Sequence, residues 1–230
     1  MKLKALVLAS AMACTSAAAA APNSDWAQLD RYAAANDSVA ALPQQERRVV
    51  LMGNSITDFW PGMRPDFFAG SGFVGRGISG QTTYQFLVRF REDVVSLSPQ
   101  IVVINGGTND VAENTHTYSE ERTFGNIVSM VQLARAAGIT PVLGSVLPAS
   151  HFYWNPQVTD VPAKIRALNA RMAAYAEAEG LAYVDYHSAL TDAEGALRSE
   201  YSEDGVHPNA EGYAVMEALL LPVLEGLPGQ

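Results

Sequence analysis

Two side chains far apart in the sequence, a serine and a histidine, are the strongest candidates for chemistry. Ser55 lies in the segment GNSIT at 53–57, and His207 lies in the segment DGVHP at 204–208. Asp204 precedes His207 by three residues, and across a turn this separation lets the carboxylate face the imidazole Nδ1. A histidine held in this way can take the proton of a serine hydroxyl, so these residues predict acyl transfer through a serine nucleophile. Alone, each segment could equally be a helix cap or a turn.

Two other segments could donate hydrogen bonds to the negative charge that develops during acyl transfer. A glycine in GISGQT at 77–82 can bring a backbone N–H close to a ligand oxygen. The segment GGTND at 106–110 places an amide donor after a predicted strand, where an oxyanion could lie. The serine segment lacks the second glycine of the G-x-S-x-G pattern, which disfavours an α/β-hydrolase elbow.

Three other histidines compete with His207 for the role of base. His151 follows the fourth predicted strand and is the main alternative, as a base or as a substrate contact. His116 lies in a polar loop, and His187 has no aspartate three residues before it. None of them has a metal-ligand spacing to another histidine or to a cysteine, so we expect no metal site.

Apolar runs and amphipathic stretches alternate along the chain and predict the elements that must position these residues. Uninterrupted apolar runs are typical of strands buried on both faces of a parallel sheet. The predicted strands cover 47–53, 73–78, 101–104, 139–147 and 181–185. The predicted helices cover 25–35, 82–97, the stretch from a Thr117/Glu120 capping box to Gly138, the stretch from Asp160 to Gly180, and a last helix capped by Asn209 and ended by Pro222. This alternation predicts one α/β domain over 22–230, with a five-stranded parallel sheet between helical layers.

The first residues of the chain predict export, and we do not expect them to belong to the folded domain. Two lysines precede an apolar run at 5–13 and a string of small residues at 17–21, the order of a secretory signal peptide cleaved near Ala21. The run is too short to span a bilayer as a helix. Cys14, the only cysteine, lies in a poor context for lipid attachment. We therefore expect a signal peptide over 1–21 and a periplasmic or secreted protein.

The charge of the chain restricts the class of partner. The formal net charge is −9, which should repel nucleic acid and anionic membrane surfaces and suits neutral substrates. We therefore expect neither a nucleic-acid partner nor stable membrane insertion. The oligomeric state is not predicted.

Together, the four segments resemble the sequence blocks of the SGNH hydrolases, also called GDSL-like lipases and acylhydrolases. The matching blocks are GNSIT at 53–57, GISGQT at 77–82, GGTND at 106–110 and DGVHP at 204–208. They occur in the family's order from about Val49 to Pro222. The serine block looks most like the branch of bacterial esterases related to platelet-activating-factor acetylhydrolases.

The resemblance implies a fold and a role for each motif residue. It implies a flavodoxin-like three-layer α/β/α sandwich and no cofactor. Ser55 would be the nucleophile, His207 its general base, and Asp204 the residue that orients the base. The backbone N–H groups of Ser55 and Gly80 and the side chain of Asn109 would form the oxyanion hole.

Asn54 departs from the family pattern, which usually has aspartate before the serine. An asparagine keeps hydrogen-bonding capacity but carries no charge. The departure therefore bears on the network that holds the serine loop, and not on the nucleophile.

The expected reaction is hydrolysis of carboxylic esters, and the substrate is less defined. Aromatic residues follow the serine block and the fourth strand, and of the residues there Trp60, His151 and Trp154 are predicted to contact substrate. They could equally be packing. Short acyl esters, such as acetyl esters of saccharides or other small molecules, are the first expectation, and a lysophospholipase or short-chain lipase is the alternative. A flavodoxin-like binding module without catalysis is a remote third.

Overall fold

The structure is a computed structural model, and it describes residues 25–227. The predicted signal peptide at 1–21, which includes Cys14, lies outside the described residues. Within 25–227, no helix combines the length and the apolar character needed to cross a membrane.

The described residues form a five-stranded, all-parallel sheet in the order β2-β1-β3-β4-β5. The strands are β1 (Val49–Gly53), β2 (Phe73–Gly77), β3 (Ile101–Asn105), β4 (Thr140–Gly144) and β5 (Ala182–Val184). The predicted parallel sheet is therefore confirmed, and its order is that of flavodoxin-like folds. The order changes direction between β1 and β3, and sheets of this kind bind ligands at that point.

Helices cover both faces of the sheet. The α-helices are α1 (Ala33–Ala40), α2 (Ser55–Met63), α3 (Pro65–Phe68), α4 (Thr83–Asp93), α5 (Thr108–Val111), α6 (Glu120–Ala136), α7 (Val161–Glu179), α8 (Tyr186–Leu190) and α9 (Ala210–Glu225). Short 3-10 turns cover Leu29–Arg31, Gln44–Arg47, Val95–Leu97 and Ser199–Tyr201.

The two faces of the sheet bury two separate apolar clusters. Successive side chains of a strand point to opposite faces, so β1 sends Val50 and Met52 to one side and Val49 and Leu51 to the other. The first pair packs with α4, α6 and α7, and the second with α2, α8 and α9. This alternation explains why the strand sequences are apolar throughout, and it confirms the predicted three-layer arrangement.

Several predicted boundaries are wrong. Ser119, and not Thr117, caps α6, because its hydroxyl accepts the Arg122 N–H at 3.4 Å. The helix α9 continues past Pro222 to Glu225. Proline lacks only the N–H donor, and the Pro222 carbonyl still accepts the Gly226 N–H, so the helical hydrogen bonds continue beyond it.

The fourth strand is shorter than predicted. It ends at Gly144, and two residues later both backbone polar groups of Val146 bond to the side chain of Asn169 on α7, at 2.8 and 2.9 Å. The chain leaves the sheet there although its sequence remains apolar.

Close packing of α2 on the end of the sheet requires glycine at two aligned positions. Gly53 ends β1 and pairs with Gly77, which ends β2. A Cβ on Gly77 would collide with the backbone N of Asp58 and lie 2.7 Å from the carbonyl oxygen of Asn54. The first turn of α2 can therefore lie directly on the sheet edge.

We expect Gly77→Ala to lower the free energy of unfolding by roughly 1–3 kcal/mol, since the colliding atoms belong to the backbone and cannot move alone. Urea denaturation measures this change. Gly125→Ala is the control, because a Cβ there has nothing within 4 Å and the residue lies inside α6. The free energy of unfolding of that variant should rise by roughly 0.5–1 kcal/mol. Equal urea midpoints for Gly77→Ala and the wild type would contradict the packing described.

Candidate active site

The carboxyl ends of three neighbouring strands carry the predicted site residues. Ser55 is the first residue of α2, two positions after β1. Gly80 lies in the turn after β2, with a φ of 79° that favours glycine, and Asn109 lies on α5 after β3. The register aligns Gly53 with Gly77 and with Asn105, so the three loops start at the same level of the sheet.

Ser55, His207 and Asp204 form one hydrogen-bonded chain. The Ser55 Oγ lies 2.9 Å from His207 Nε2, and His207 Nδ1 lies 2.6 Å from Asp204 Oδ2. With Nδ1 protonated and donating to the carboxylate, Nε2 is left to accept the serine proton. The other carboxylate oxygen accepts the backbone N–H groups of His207 and Val206, at 2.8 and 2.9 Å. The backbone of the turn at 204–207 thereby orients the carboxylate towards the imidazole ring.

The same contacts keep Asp204 ionised. Partial burial alone would raise the pKa of this carboxyl. The hydrogen bond from the His207 ring and those from the backbone of His207 and Val206 outweigh that effect, so the pKa of Asp204 lies below its ordinary value of 3.8. A carboxylate in this state stabilises the imidazolium that forms when the ring takes a proton.

Asn54 holds the start of α2 without using a charge. Its Oδ1 accepts the Ile56 N–H at 3.0 Å, and its backbone oxygen accepts the N–H groups of Thr57 and Asp58. The side chain is 1% exposed, and a neutral amide costs less to bury than a carboxylate. The capping role needs only an acceptor oxygen, which explains why asparagine fits this position.

Asn109 and Gly80 are both held by hydrogen bonds to neighbouring loops. Asn109 Nδ2 donates one hydrogen to the Gln81 carbonyl at 2.9 Å, which leaves its second N–H for another acceptor. Asn114 Nδ2 donates to the Gly80 carbonyl at 3.0 Å and so holds the peptide that follows Gly80. Gly80 and Asn109 line the same cleft as Ser55.

That cleft has a volume of about 280 Å³. It is lined by Ser55, Phe59, Ser79, Gly80, Asn109, Asn114, Tyr153, Trp154 and His207. Of the five residues predicted for catalysis and the oxyanion hole, all but Asp204 line this cleft, and Asp204 contacts the His207 ring from outside it. Trp154, one of the predicted substrate contacts, is part of the wall.

Trp60 and His151, the other two predicted substrate contacts, are not among the residues that line the cleft. Trp60 is 3% exposed, stacks between Phe67 and Tyr213, and donates its Nε1–H to Glu217 at 3.1 Å. It is a core residue, which contradicts the prediction. His151 is exposed in the loop after β4, with its Nδ1 2.9 Å from Ser150 Oγ.

A buried cation that sequence inspection missed connects the loops of the site. Arg89 on α4 is fully buried and donates to the Gly53 carbonyl at 2.9 Å, to Gln81 Oε1 at 2.6 Å and to Asp93 at 2.8 Å. Burial lowers the pKa of its guanidinium, and the hydrogen bond and charge of Asp93 act in the opposite direction. A signal was present in the sequence, because Arg89 and Asp93 are four residues apart and flank the apolar Phe90.

The residues that the structure describes contain no group of three or more His, Cys, Asp or Glu side chains arranged to hold a metal ion. Outside the cleft, the Nε2 atoms of both His116 and His187 are buried and have no hydrogen-bond partner within 25–227. Burial lowers the pKa of the His187 ring.

Comparison with known proteins adds a family and several relatives. The model of the GDSL-like Lipase/Acylhydrolase family matches residues 51–215. A GDSL-like lipase from Bacteroides thetaiotaomicron VPI-5482 is 52% identical, with a TM-score of 0.85 over 88% of this chain and 100% of that chain.

Two curated relatives match over shorter stretches. The uncharacterized lipoprotein YqeF of Bacillus subtilis (strain 168) is 37% identical over 78 residues, which are 33% of this chain and 32% of that protein. A multidomain esterase of Ruminococcus flavefaciens is 29% identical over 129 residues, which are 56% of this chain. The chain therefore spans about a third of the first relative and 16% of the second.

The lowered pKa of Asp204 predicts how stability depends on pH. An ionised carboxylate bound more tightly in the folded state contributes stability above the unfolded pKa and loses it as pH falls through and below that value. The difference in unfolding free energy between wild type and Asp204→Asn should thus be constant at neutral pH and shrink below about pH 4. Denaturant titrations between pH 3 and pH 8 measure it. Ser55→Ala keeps the carboxylate contacts and should follow the wild-type pH dependence, and a pH-independent effect of Asp204→Asn would contradict this account.

Proposed function

The chain belongs to the GDSL-like lipase/acylhydrolase family and is a carboxylic ester hydrolase, and we propose that Ser55, His207 and Asp204 are its catalytic triad. The observation that carries the proposal is the continuous chain of hydrogen bonds from Ser55 Oγ through the His207 ring to the Asp204 carboxylate. Family membership favours this enzyme over the non-catalytic binding module considered from the sequence.

The reaction proceeds in two halves. His207 Nε2 removes the proton of Ser55 as the serine oxygen attacks the ester carbonyl carbon, and the tetrahedral intermediate collapses when the same nitrogen returns that proton to the leaving alcohol. Water then enters and loses a proton to His207 as it attacks the acyl carbon on Ser55. The second tetrahedral intermediate collapses when His207 returns that proton to the Ser55 oxygen, which releases the carboxylic acid and restores the serine. Asp204 holds the ring in one tautomer through both halves.

Three donors face the oxyanion in this proposal. They are the N–H of Ser55 at the first turn of α2, the N–H of Gly80, and the second amide hydrogen of Asn109. The amino end of α2, a nine-residue helix, adds a favourable dipole. Because Gln81 and Asn114 already fix the neighbouring groups, the donors need little rearrangement when charge develops.

The cleft wall supports a short acyl group. Trp154 donates its Nε1–H to Asn114 Oδ1 at 2.8 Å, and its ring packs 5.1 Å from the buried ring of Phe152. The same Asn114 binds the Gly80 carbonyl, so the wall is tied to the oxyanion loop. A fixed wall leaves less room for a long acyl chain than a mobile one. We therefore favour acetyl and other short esters over the long-chain lysophospholipids of the alternative function.

We also infer export and a saccharide ester as the substrate class. Export rests on the lysines, the apolar run and the small residues of 1–21. The saccharide class rests on an exposed cleft with aromatic side chains in its wall, on a protein whose acidic charge suits neutral substrates.

A series of esters tests the function. Hydrolysis of 4-nitrophenyl esters from C2 to C16, of acetylated xylan and of a lysophospholipid should be highest on acetyl substrates and should disappear in Ser55→Ala. Trp154→Ala, which removes the wall, should raise the rate on C6–C8 esters relative to the C2 ester. Equal activity of wild type and Ser55→Ala would refute the triad. Highest activity on C12–C16 esters would refute the short-acyl assignment alone.

Asn109→Ala should lower kcat by roughly 10²–10³-fold with little change in KM, because the lost hydrogen bond forms in the transition state. Steady-state kinetics on 4-nitrophenyl acetate measure both constants. Asn114→Ala is the matched control, since that asparagine also lines the cleft but directs its amide at the Gly80 carbonyl. Its loss in kcat should be smaller. An unchanged kcat for Asn109→Ala would remove this residue from the oxyanion hole.

A further inference from the structure

A second hollow opens beside the cleft, on the other side of Phe59 and His207. Its volume is about 280 Å³. It is bounded by Phe59, Met63, Glu203, Asp204, His207 and Pro208. Phe59 and His207 line both spaces, and their ring centroids are 5.3 Å apart. A molecule larger than one space would therefore cross between them over these two rings.

The geometry of proton transfer decides which half of an ester lies on each side. The proposed oxyanion donors, Gly80 and Asn109, line the cleft and not the hollow. The leaving alcohol must receive its proton from His207 Nε2, so the alcohol oxygen lies on the histidine side of the tetrahedral carbon. The hollow is the space that adjoins His207 and is not lined by Gly80 or Asn109, so it is where the rest of the alcohol can lie. We infer that the hollow binds the alcohol half of the ester and selects uncharged, hydroxyl-rich alcohols over anionic ones. This inference rests on the proposed triad.

The polar groups of the hollow determine that selection. The oxygens of Asp204 are taken by His207 and by backbone N–H groups. Asn209 also lines the hollow, but its amide donates to the Glu200 carbonyl and its Oδ1 caps α9. Glu203 is exposed and makes no hydrogen bond or ion pair to another residue within 25–227. Its carboxylate is the acceptor that remains for the hydroxyl groups of a ligand.

The apolar groups of the hollow complement that acceptor. Phe59 and Met63 are 45% and 44% exposed, which is unusual for side chains of this size. They share one face of α2 with Ser55, at intervals of four residues. A sugar ring presents C–H groups to an aromatic face and hydroxyls at its rim, so it can pack on Phe59 while donating to Glu203.

The charge of the hollow opposes an anionic alcohol. Two carboxylates line it, and no lysine or arginine of the described chain does. A phosphate-bearing alcohol, such as the glycerophosphate part of a lysophospholipid, would meet repulsion from Glu203 before its ester reached Ser55.

The test compares esters that share an acetyl group and differ in the alcohol. Acetate release is measured for a mono-O-acetylated methyl xyloside and for 1-acetyl-glycerol 3-phosphate, and each kcat/KM is divided by that for methyl acetate. Wild type should prefer the xyloside at least about tenfold. Glu203→Lys, which reverses the charge, should reduce that preference about five- to tenfold. Glu203→Gln removes the charge but keeps an acceptor, so it should improve the phosphate ester and retain most of the activity on the xyloside.

Glu200→Lys is the matched control, because Glu200 is also exposed and lies three residues away but does not line the hollow. It should leave the preference of the wild type unchanged. The inference would be overturned if Glu200→Lys and Glu203→Lys changed the preference for the xyloside equally, or if neither changed it. A strong preference of the wild type for acetylcholine that is lost in Glu203→Gln would also overturn it, since the hollow would then be a cation site. These results differ from failure of the triad, in which hydrolysis of every ester would survive Ser55→Ala.

Discussion

The in-register parallel pairing of β1 with β2 and β3 is the constraint on which the proposed site depends. Because Gly53 aligns with both Gly77 and Asn105, three chain segments leave the sheet at one level and at one edge. One segment carries the serine, the second a glycine with positive φ, and the third an asparagine amide. A slip of one residue in either pairing would move a donor by about 3.3 Å, more than the tolerance of a hydrogen bond. The apolar core therefore determines the geometry of the site, since it sets the register.

Arg89 reinforces this alignment from inside the protein. It binds the carbonyl that precedes the serine loop and the side chain of Gln81, whose own carbonyl holds Asn109. A buried guanidinium costs free energy unless it is paired, and Asp93 provides the pair. This network links the nucleophile loop to an oxyanion donor through groups that touch no substrate. It thereby fixes the positions of these two loops relative to each other.

Much of the fold and of the site could be predicted from the sequence, because the signals are local. Uninterrupted apolar runs identified the strands, and the Asp204–His207 spacing identified a turn that closes on itself. Trp60 was wrongly predicted to contact substrate, although the helical period indicated otherwise. Trp60 is four residues from buried Ile56, whereas Ser55, Phe59 and Met63 share a different face of the helix, which lines the two spaces of the site. No local signal located His151, Asn114 or Glu203, because loops after β4, α5 and the last 3-10 turn are positioned by tertiary contacts. The predicted fourth strand was too long for the same reason: the chain leaves the sheet where Val146 bonds to Asn169, and Asn169 is distant in sequence.

In the proposed mechanism, Ser55 is a nucleophile only when His207 accepts its proton and Asp204 orients the His207 ring. Labelling with a fluorophosphonate, followed by mass spectrometry of peptides, tests this claim most directly because it reports the covalent bond and its position. We expect one phosphonyl group on the peptide that contains Ser55, no labelling of Ser55→Ala, and much slower labelling of His207→Ala. Labelling of another residue at the wild-type rate in Ser55→Ala, or undiminished labelling of His207→Ala, would contradict the account.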